Sequence, residues 1–403
     1  GLHGGIFNFN LQKLFKGKGK VMVIDRHTCL SVFDCFGYAF FVNSPEYLDA
    51  GRQQRLEKSK NIFSGFPIQV SDIPELKSHS LNIGDDFYVP GKAFGEIVNL
   101  LHATSGSDYQ LGNKVVSIVK LNKRKTYQFK FADGRVLNSQ VAFLFDGLGD
   151  PRFPFKDSQT QRVIKRFQNR GIYSVDQFLK RSQSLAVQGK NVLAYSAGKR
   201  VLVVGGGDGG AISVESIFGL GPKELYKLPP GKSTSDYFPQ KVFWASQKNL
   251  TKKEFLQNTG QRYHRIADSY EKYIEAIPFY IAEIKKQKNG FLAIYKNSQG
   301  EKIKQEIDEI ILATGYENDL NRILGKFLVD GQLPTVAVKD KNGLTIGRRV
   351  KNENIFIGGP TAQNYGGLGT TQASPGGVKS PRIEVLAPMT ESLADFTFQM
   401  LRP

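Results

Sequence analysis

Cysteine is nearly absent: Cys29 and Cys35 are the only two in 403 residues. Two thiols cannot build the disulfide framework of a small secreted fold, so the chain reads as a protein of a reducing, cytoplasmic compartment. Histidine is sparse as well. The five, at 3, 27, 79, 102 and 264, show no metal-ligand spacing, and no metal is expected. Neither a Walker run nor a nucleophile elbow occurs, which argues against P-loop phosphoryl transfer and serine-hydrolase chemistry. No apolar run approaches membrane-spanning length and no signal-peptide pattern is present, so neither insertion nor export is expected.

Acidic residues are the scarcer charge, 37 against 55 Lys and Arg, for a net charge of +18. The excess is scattered in short clusters such as 122–125, 252–253 and 285–286 and gathers in no basic tail or recognised nucleic-acid module. It is read as solvated surface and attraction for anionic cofactors, with no specific nucleic-acid partner.

What is present is enough chain for two or three domains and an ordinary globular composition. The strongest signal is "KRVLVVGGGDGGAISVESIFGLG" at 199–221. Val201 to Val204 read as a buried parallel strand, and residues 211–218 as the start of a helix. Gly205, Gly207 and Gly210 form G-x-G-x-x-G between them. The first glycine permits the turn, the second lets a pyrophosphate approach, and the third lets helix and strand pack closely. The alternative is a tight β–α turn that binds nothing.

The acid usual about twenty residues later is missing here. The next strand, "KVFWASQ" (241–247), ends near Ser246, Gln247 and Lys248. A hydroxyl and a cation suit a 2′-phosphate, which favours NADPH over NADH. Lys248, Lys252, Arg262 and Arg265 are the candidate phosphate partners.

The first residues reread well on that template. "GLHG" supplies the second and third glycines, Gly1 and Gly4, and "KVMVID" (20–25) supplies a strand. Asp25 follows Gly4 by 21 positions, the spacing of an acid that holds an adenosine ribose. Arg26 is placed either on the adenine face or in water. A helix over 94–101 and strands in 113–121, 126–131 and 136–145 follow, with a hairpin turn at 132–135. "VAFLFDGLGDP" (141–151), containing Gly147, reads as a strand returning to the cofactor crevice, and "IDEIILATGYEND" (307–319) repeats that form.

Together "GLHG" with "VIDR", "VVGGGDGG", "ATGY" and "IFIGGP" resemble, in this order and over nearly the whole chain, the flavoproteins with two dinucleotide-binding domains. The nearest likeness is to the flavin-containing and N-hydroxylating monooxygenases. The resemblance implies an α/β fold of two Rossmann-like three-layer domains, the second inserted in the first. FAD would sit on 1–185 plus 307–403, and NADPH on 186–306. Gly1, Gly4 and Asp25 would hold the FAD pyrophosphate and ribose, with Val115 and Val116 against adenine. Thr314 and Gly315 of "ATGY", with Gly358 and Gly359, would complete the cofactor-binding set, and Gln69 of "FPIQVSD" (66–72) would lie near the isoalloxazine. One departure stands out. Tyr173 and Ser174 occupy the place of the His-Ser signature of the Baeyer–Villiger and flavin-monooxygenase groups.

The implied activity is NADPH-dependent oxygenation of nitrogen, sulfur or carbonyl in a small metabolite. Two alternatives stay open: an NAD(P)H-dependent reductase of a quinone or protein acceptor, and a catalytically silent scaffold subunit. The expected partner is a small-molecule substrate, with room for a homo-oligomer or larger complex.

Overall fold

The computed structural model describes residues 2–16, 20–28, 30, 81–83, 86–88, 91–121, 126–146, 149–222, 225–246, 266, 271–297, 299–317, 320–363, 365, 368 and 383–401. Helix α1 (Leu2–Phe15) begins directly at the first glycines. It buries Ile6, Phe7 and Leu11, and Gly5 lets it approach the His102 ring, whose Nε2 lies 3.0 Å from where a Cβ would stand. Strand β1 (Met22–Ile24) comes next, and later β2 (Leu81–Ile83) and β3 (Asp86–Tyr88), which pair antiparallel. Helix α2 (Gly91–Ala103) turns Val98 and Leu101 into the core, and β4 (Asp108–Gln110) runs parallel to β1. Asn8 fastens the first helix to the loop after α2, through Ser105 at 2.8 Å and Ser107 at 2.9 Å.

Strands β5 (Val115–Leu121), β6 (Thr126–Phe131) and β7 (Val136–Ser139) form an antiparallel meander. The apolar run after it breaks at Gln140. Its second half is a separate strand, β8 (Ala142–Leu144), which leaves the meander and pairs in parallel near the end of the chain. The chain then passes through β9 (Asp150–Pro151) into α3 (Ser158–Phe167), which is capped by Asp157 accepting from the Thr160 amide.

A five-stranded all-parallel sheet forms the second unit, in the order β10 (Ile172–Ser174), β17 (Glu309–Leu312), β11 (Arg200–Val204), β12 (Lys241–Ala245), β13 (Ile274–Ile277). Its strands are apolar runs because both faces are covered. One face packs on α4 (Val175–Val187) and α5 (Asp208–Ile217), the other on α3 and the antiparallel β14 (Ile281–Lys286), β15 (Phe291–Lys296), β16 (Lys302–Ile307). Ser174 and Gln177 close a capping box at the start of α4. The residues at the His-Ser position of related signatures therefore serve here as a strand end and a helix cap.

This sheet extends beyond 186–306 at both ends, taking in 172–174 and 309–312. "IDEIIL" accordingly returns to the second sheet, between β10 and β11, and not to the first. Three consecutive fully buried residues, Ile310 to Leu312, suit a central parallel strand in either sheet, and only the pairing decides which. The two crossings between units meet each other: β9 pairs with β18 (Tyr316–Glu317).

After α6 (Leu320–Ile323) come β19 (Thr335–Lys339), β20 (Thr345–Val350) and β21 (Ile355–Ile357), which with β8 make a four-stranded sheet. A short helix, α7 (Gly359–Gln363), starts where β21 ends, and α8 (Ile383–Leu401) closes the chain against α1, with Phe15 and Phe398 edge to face at 5.2 Å. Within the described residues no backbone hydrogen bond joins the β1–β4 pair to the β8–β21 pair. No helix among them is long and apolar enough to cross a membrane.

Candidate functional site

Open parallel sheets bind ligands where strands end at their carboxyl edge and helices begin. In the second unit that edge is the turn from Val204 to Asp208, and its three glycines have three different surroundings. Gly205 has φ +135°, and a Cβ there would stand 2.0 Å from the Ala313 carbonyl oxygen. A Cβ on Gly210 would stand 2.0 Å from the Gly205 carbonyl oxygen. These two are demanded by the protein's own packing. Gly207, the N-cap of α5, is extended, and no atom lies within 4 Å of its Cβ position. No described residue requires a glycine there, and the space beside its Cβ position is open among the described residues. An approaching pyrophosphate fits that gap, and the start of α5 supplies the positive end of a helix dipole.

Ser246 lies at the end of β12, buried, with its amide donating to Ile277 at 2.9 Å. Lys248, Lys252, Arg262 and Arg265 lie outside the described residues, as do Gly1, Gln69 and Gly147. Among the described residues no group of three metal-ligating side chains gathers.

The first unit offers a second carboxyl edge. Strand β8 ends at Leu144, just before Phe145, β21 ends at Ile357, just before Gly358, and the start of α1 packs against both places through Gly4 and His3. The Phe145 ring fills the gap: a Cβ on Gly358 would come within 2.3 Å of it, one on Gly4 within 3.9 Å. Gly359 has φ +58° and lies against His3, whose Cβ is 3.1 Å from its own Cβ position. Gly4, Gly358 and Gly359 are thus brought together around Phe145, with His3 against Gly359. The His3 Nε2 is sealed from solvent without a hydrogen-bond partner. A buried donor or acceptor left unpaired is costly, so this atom fits a bound polar group. Burial pulls the imidazole down to about 4 from its usual 6.5.

The sign of that shift gives a test. A histidine held neutral in the fold contributes stability that is present above pH 6.5 and lost as pH falls toward 4. Apoprotein melting temperature should therefore drop over that interval, and His3→Gln should flatten the drop. A variant with the wild-type slope would place the titrating group elsewhere.

Asp25 is joined to the residues that lead into β5, the strand that carries Val116. The Asp25 carbonyl accepts from the Asn113 amide at 3.2 Å, just before β5, and one carboxylate oxygen accepts from the His27 amide at 2.9 Å. Val116 is one of the few large apolar side chains left exposed. Arg26 pairs with Asp150 on β9, which Lys114 also approaches at 3.8 Å. The His27 imidazole is lowered by burial, against the opposing pull of Asp25.

Thr314 and Gly315 are engaged in the crossing between units. The Thr314 hydroxyl donates to the Arg152 carbonyl, and the Arg152 amide donates to Gly315 at 2.9 Å. Tyr316 extends this lock, its hydroxyl donating to Asp176 at 2.7 Å on α4. Burial and that carboxylate raise the phenol well above its ordinary value. Sequence reading missed two residues at these edges. His3 was legible only as an interval position of a glycine motif. Trp244 was legible only as part of a strand, although it is the one tryptophan and lies directly beneath the second glycine turn.

No protein-family model and no curated protein matches this sequence. Solved structures do match along the full length. The ornithine hydroxylase of Pseudomonas aeruginosa superposes with a TM-score of 0.62 at 15% identity, covering 100% of this chain and 98% of its own. The ornithine N-hydroxylase of Kutzneria sp. 744, solved with reduced FAD, NADP+ and L-ornithine, gives 0.62 at 12% identity, covering 100% and 97%. The bacillithiol disulfide reductase of Bacillus cereus gives 0.59 at 12% identity, covering 99% and 96%. At such identities the likeness establishes the fold alone. The chain has the α/β fold of flavoproteins with two dinucleotide-binding units.

Proposed function

We propose that the chain is an FAD-dependent oxidoreductase reduced by NADPH, and that it hydroxylates the amine nitrogen of a small metabolite. The observation that carries this reading is Gly207, a glycine that no described residue packs against, at the centre of a G-x-G-x-x-G turn between strand and helix. The full-length likeness to two ornithine hydroxylases supports the oxygenase assignment.

FAD would occupy the first unit, and NADPH the inserted unit, proposed as 186–306 together with the strands 172–174 and 309–312 that complete its sheet. Bound FAD supplies the redox chemistry, carrying reducing equivalents from NADPH to O2. The chain supplies binding and orientation. Gly1, Gly4, Gly358 and Gly359 let backbone approach the flavin pyrophosphate and ribityl chain, and His3 Nε2 offers a hydrogen-bonding partner there. Asp25 and Val116 receive the adenosine end, and Arg26 steadies that end through Asp150. Thr314 and Gly315 join the FAD-binding set from the crossing between units, and Gly147 is assigned to the same cofactor. In the second unit Gly205, Gly207 and Gly210 cradle the NADPH pyrophosphate, with Ser246 and Lys248 toward the 2′-phosphate. Gln69 is assigned to the flavin side.

Purified full-length protein should carry yellow flavin that mass spectrometry identifies as FAD, and NADPH should bleach it without oxygen. Ornithine, lysine and diamines should then accelerate NADPH oxidation in air and yield hydroxylamines labelled from 18O2. Failure to take up flavin after reconstitution would overturn the reading. A second reading, an NAD(P)H-dependent reductase, is favoured by the likeness to a disulfide reductase. Turnover of a disulfide or quinone acceptor with no 18O in any product would select it.

A further inference from the structure

Trp244 is the only tryptophan in the chain and is completely buried on β12. Its indole Nε1 donates to the carbonyl of Gly205 at 2.8 Å. The Gly205 amide donates to Ala245 at 2.7 Å. Consecutive residues of the neighbouring strand thus grip both polar groups of the first glycine. The amides of Gly210 and Ala211 go instead to Gly207, at 3.0 and 3.1 Å, so these helical bonds do not hold the Gly205 carbonyl. The indole also sets the helix–strand spacing, since a Cβ on Gly210 would fall 2.9 Å from Nε1.

We infer that Trp244 is a positioning residue for nucleotide binding. This rests on the reading that the 205–210 turn takes NADPH. Its N–H keeps the negative end of the Gly205 peptide dipole turned into the core, away from the path of the pyrophosphate. Without that donor a buried carbonyl loses its bond and regains a reason to rotate outward, where its oxygen would repel the phosphates. The indole does not touch the nucleotide. It acts through the glycine peptide that does.

Because the tryptophan is unique, global replacement is site-specific. Full-length holoenzyme made with benzothienylalanine, which keeps the bicyclic shape and loses the N–H, should stay folded and retain flavin as the wild type does, melting only a few degrees lower for the lost bond. Its Kd for NADPH by titration calorimetry should rise about tenfold, the scale of one lost hydrogen bond to a buried acceptor. The limiting rate of flavin reduction at saturating NADPH should stay within about twofold. Trp244→Phe should show the same split. In the wild type, NADPH should quench Trp244 emission by energy transfer to the nicotinamide. Wild-type protein that binds NADPH while the isostere binds it equally well would overturn the role of Trp244 alone. Wild-type protein that shows neither quenching nor calorimetric binding would overturn the nucleotide reading and this inference with it.

Discussion

Gly207→Val should abolish NADPH-driven flavin reduction at ordinary nucleotide concentrations while leaving the fold intact. The residue is extended, at φ −97° and ψ −170°, so valine meets no backbone penalty. The space around its Cβ position is open among the described residues, so valine meets none of them. The added methyls stand where a pyrophosphate would have to come within hydrogen-bond distance of the helix start. Losing that approach forfeits several phosphate–amide bonds at once, and we expect NADPH affinity to fall at least about 100-fold. Dithionite should still reduce the variant, and its flavin content and melting temperature should match the wild type. Unchanged NADPH affinity would mean that the turn is structural. Gly210→Ala provides the contrast, since its Cβ would strike the Gly205 carbonyl and should cost stability whatever binds.

Glu309→Ala should destabilise the second unit by about 3–5 kcal/mol, the usual cost of removing one partner from a buried ion pair. Glu309 opens β17 and is 1% exposed. Lys199 reaches one carboxylate oxygen at 3.1 Å and Arg181 approaches the other at 3.8 Å, while the Arg181 guanidinium lies over the Tyr195 ring. Burial pushes the carboxyl up, and the two cations oppose that shift. Truncation leaves Arg181 and Lys199 facing each other across a cavity. Melting followed by Trp244 emission, which reports on this sheet, should fall by about 10 °C. A loss under about 1 kcal/mol would mean that water enters and solvates the cations. The cluster lies at the start of β11 and β17, the edge opposite the glycine turn, so NADPH affinity of the folded variant should be unaffected.

Both effects concern groups whose type the sequence displays and whose surroundings it does not. The glycine spacing at 205–210 was legible because a strand, a tight turn and a helix must follow one another in the chain. The separate reasons for Gly205, Gly207 and Gly210 became visible only with Ala313, Trp244 and open space placed around them. Glu309 reads as an ordinary charge at the edge of an apolar run, since its partners are about 110 and 130 residues away.

Local order determined the α/β class, the two glycine motifs, the position of Asp25 and most strands, because hydrophobic period and turn chemistry act between near neighbours. Tertiary structure alone decided which sheet each apolar run joins. Residues 309–312 look like a partner of the first unit and hydrogen-bond into the second, and 141–144 leave the meander that precedes them. Strand pairing is a contact between distant segments, and a buried run of Ile, Leu and Val satisfies either sheet equally. The same reason hid Arg26–Asp150, His3 against Gly359, and the indole bond to Gly205: each is a meeting of residues that only the closed fold brings together.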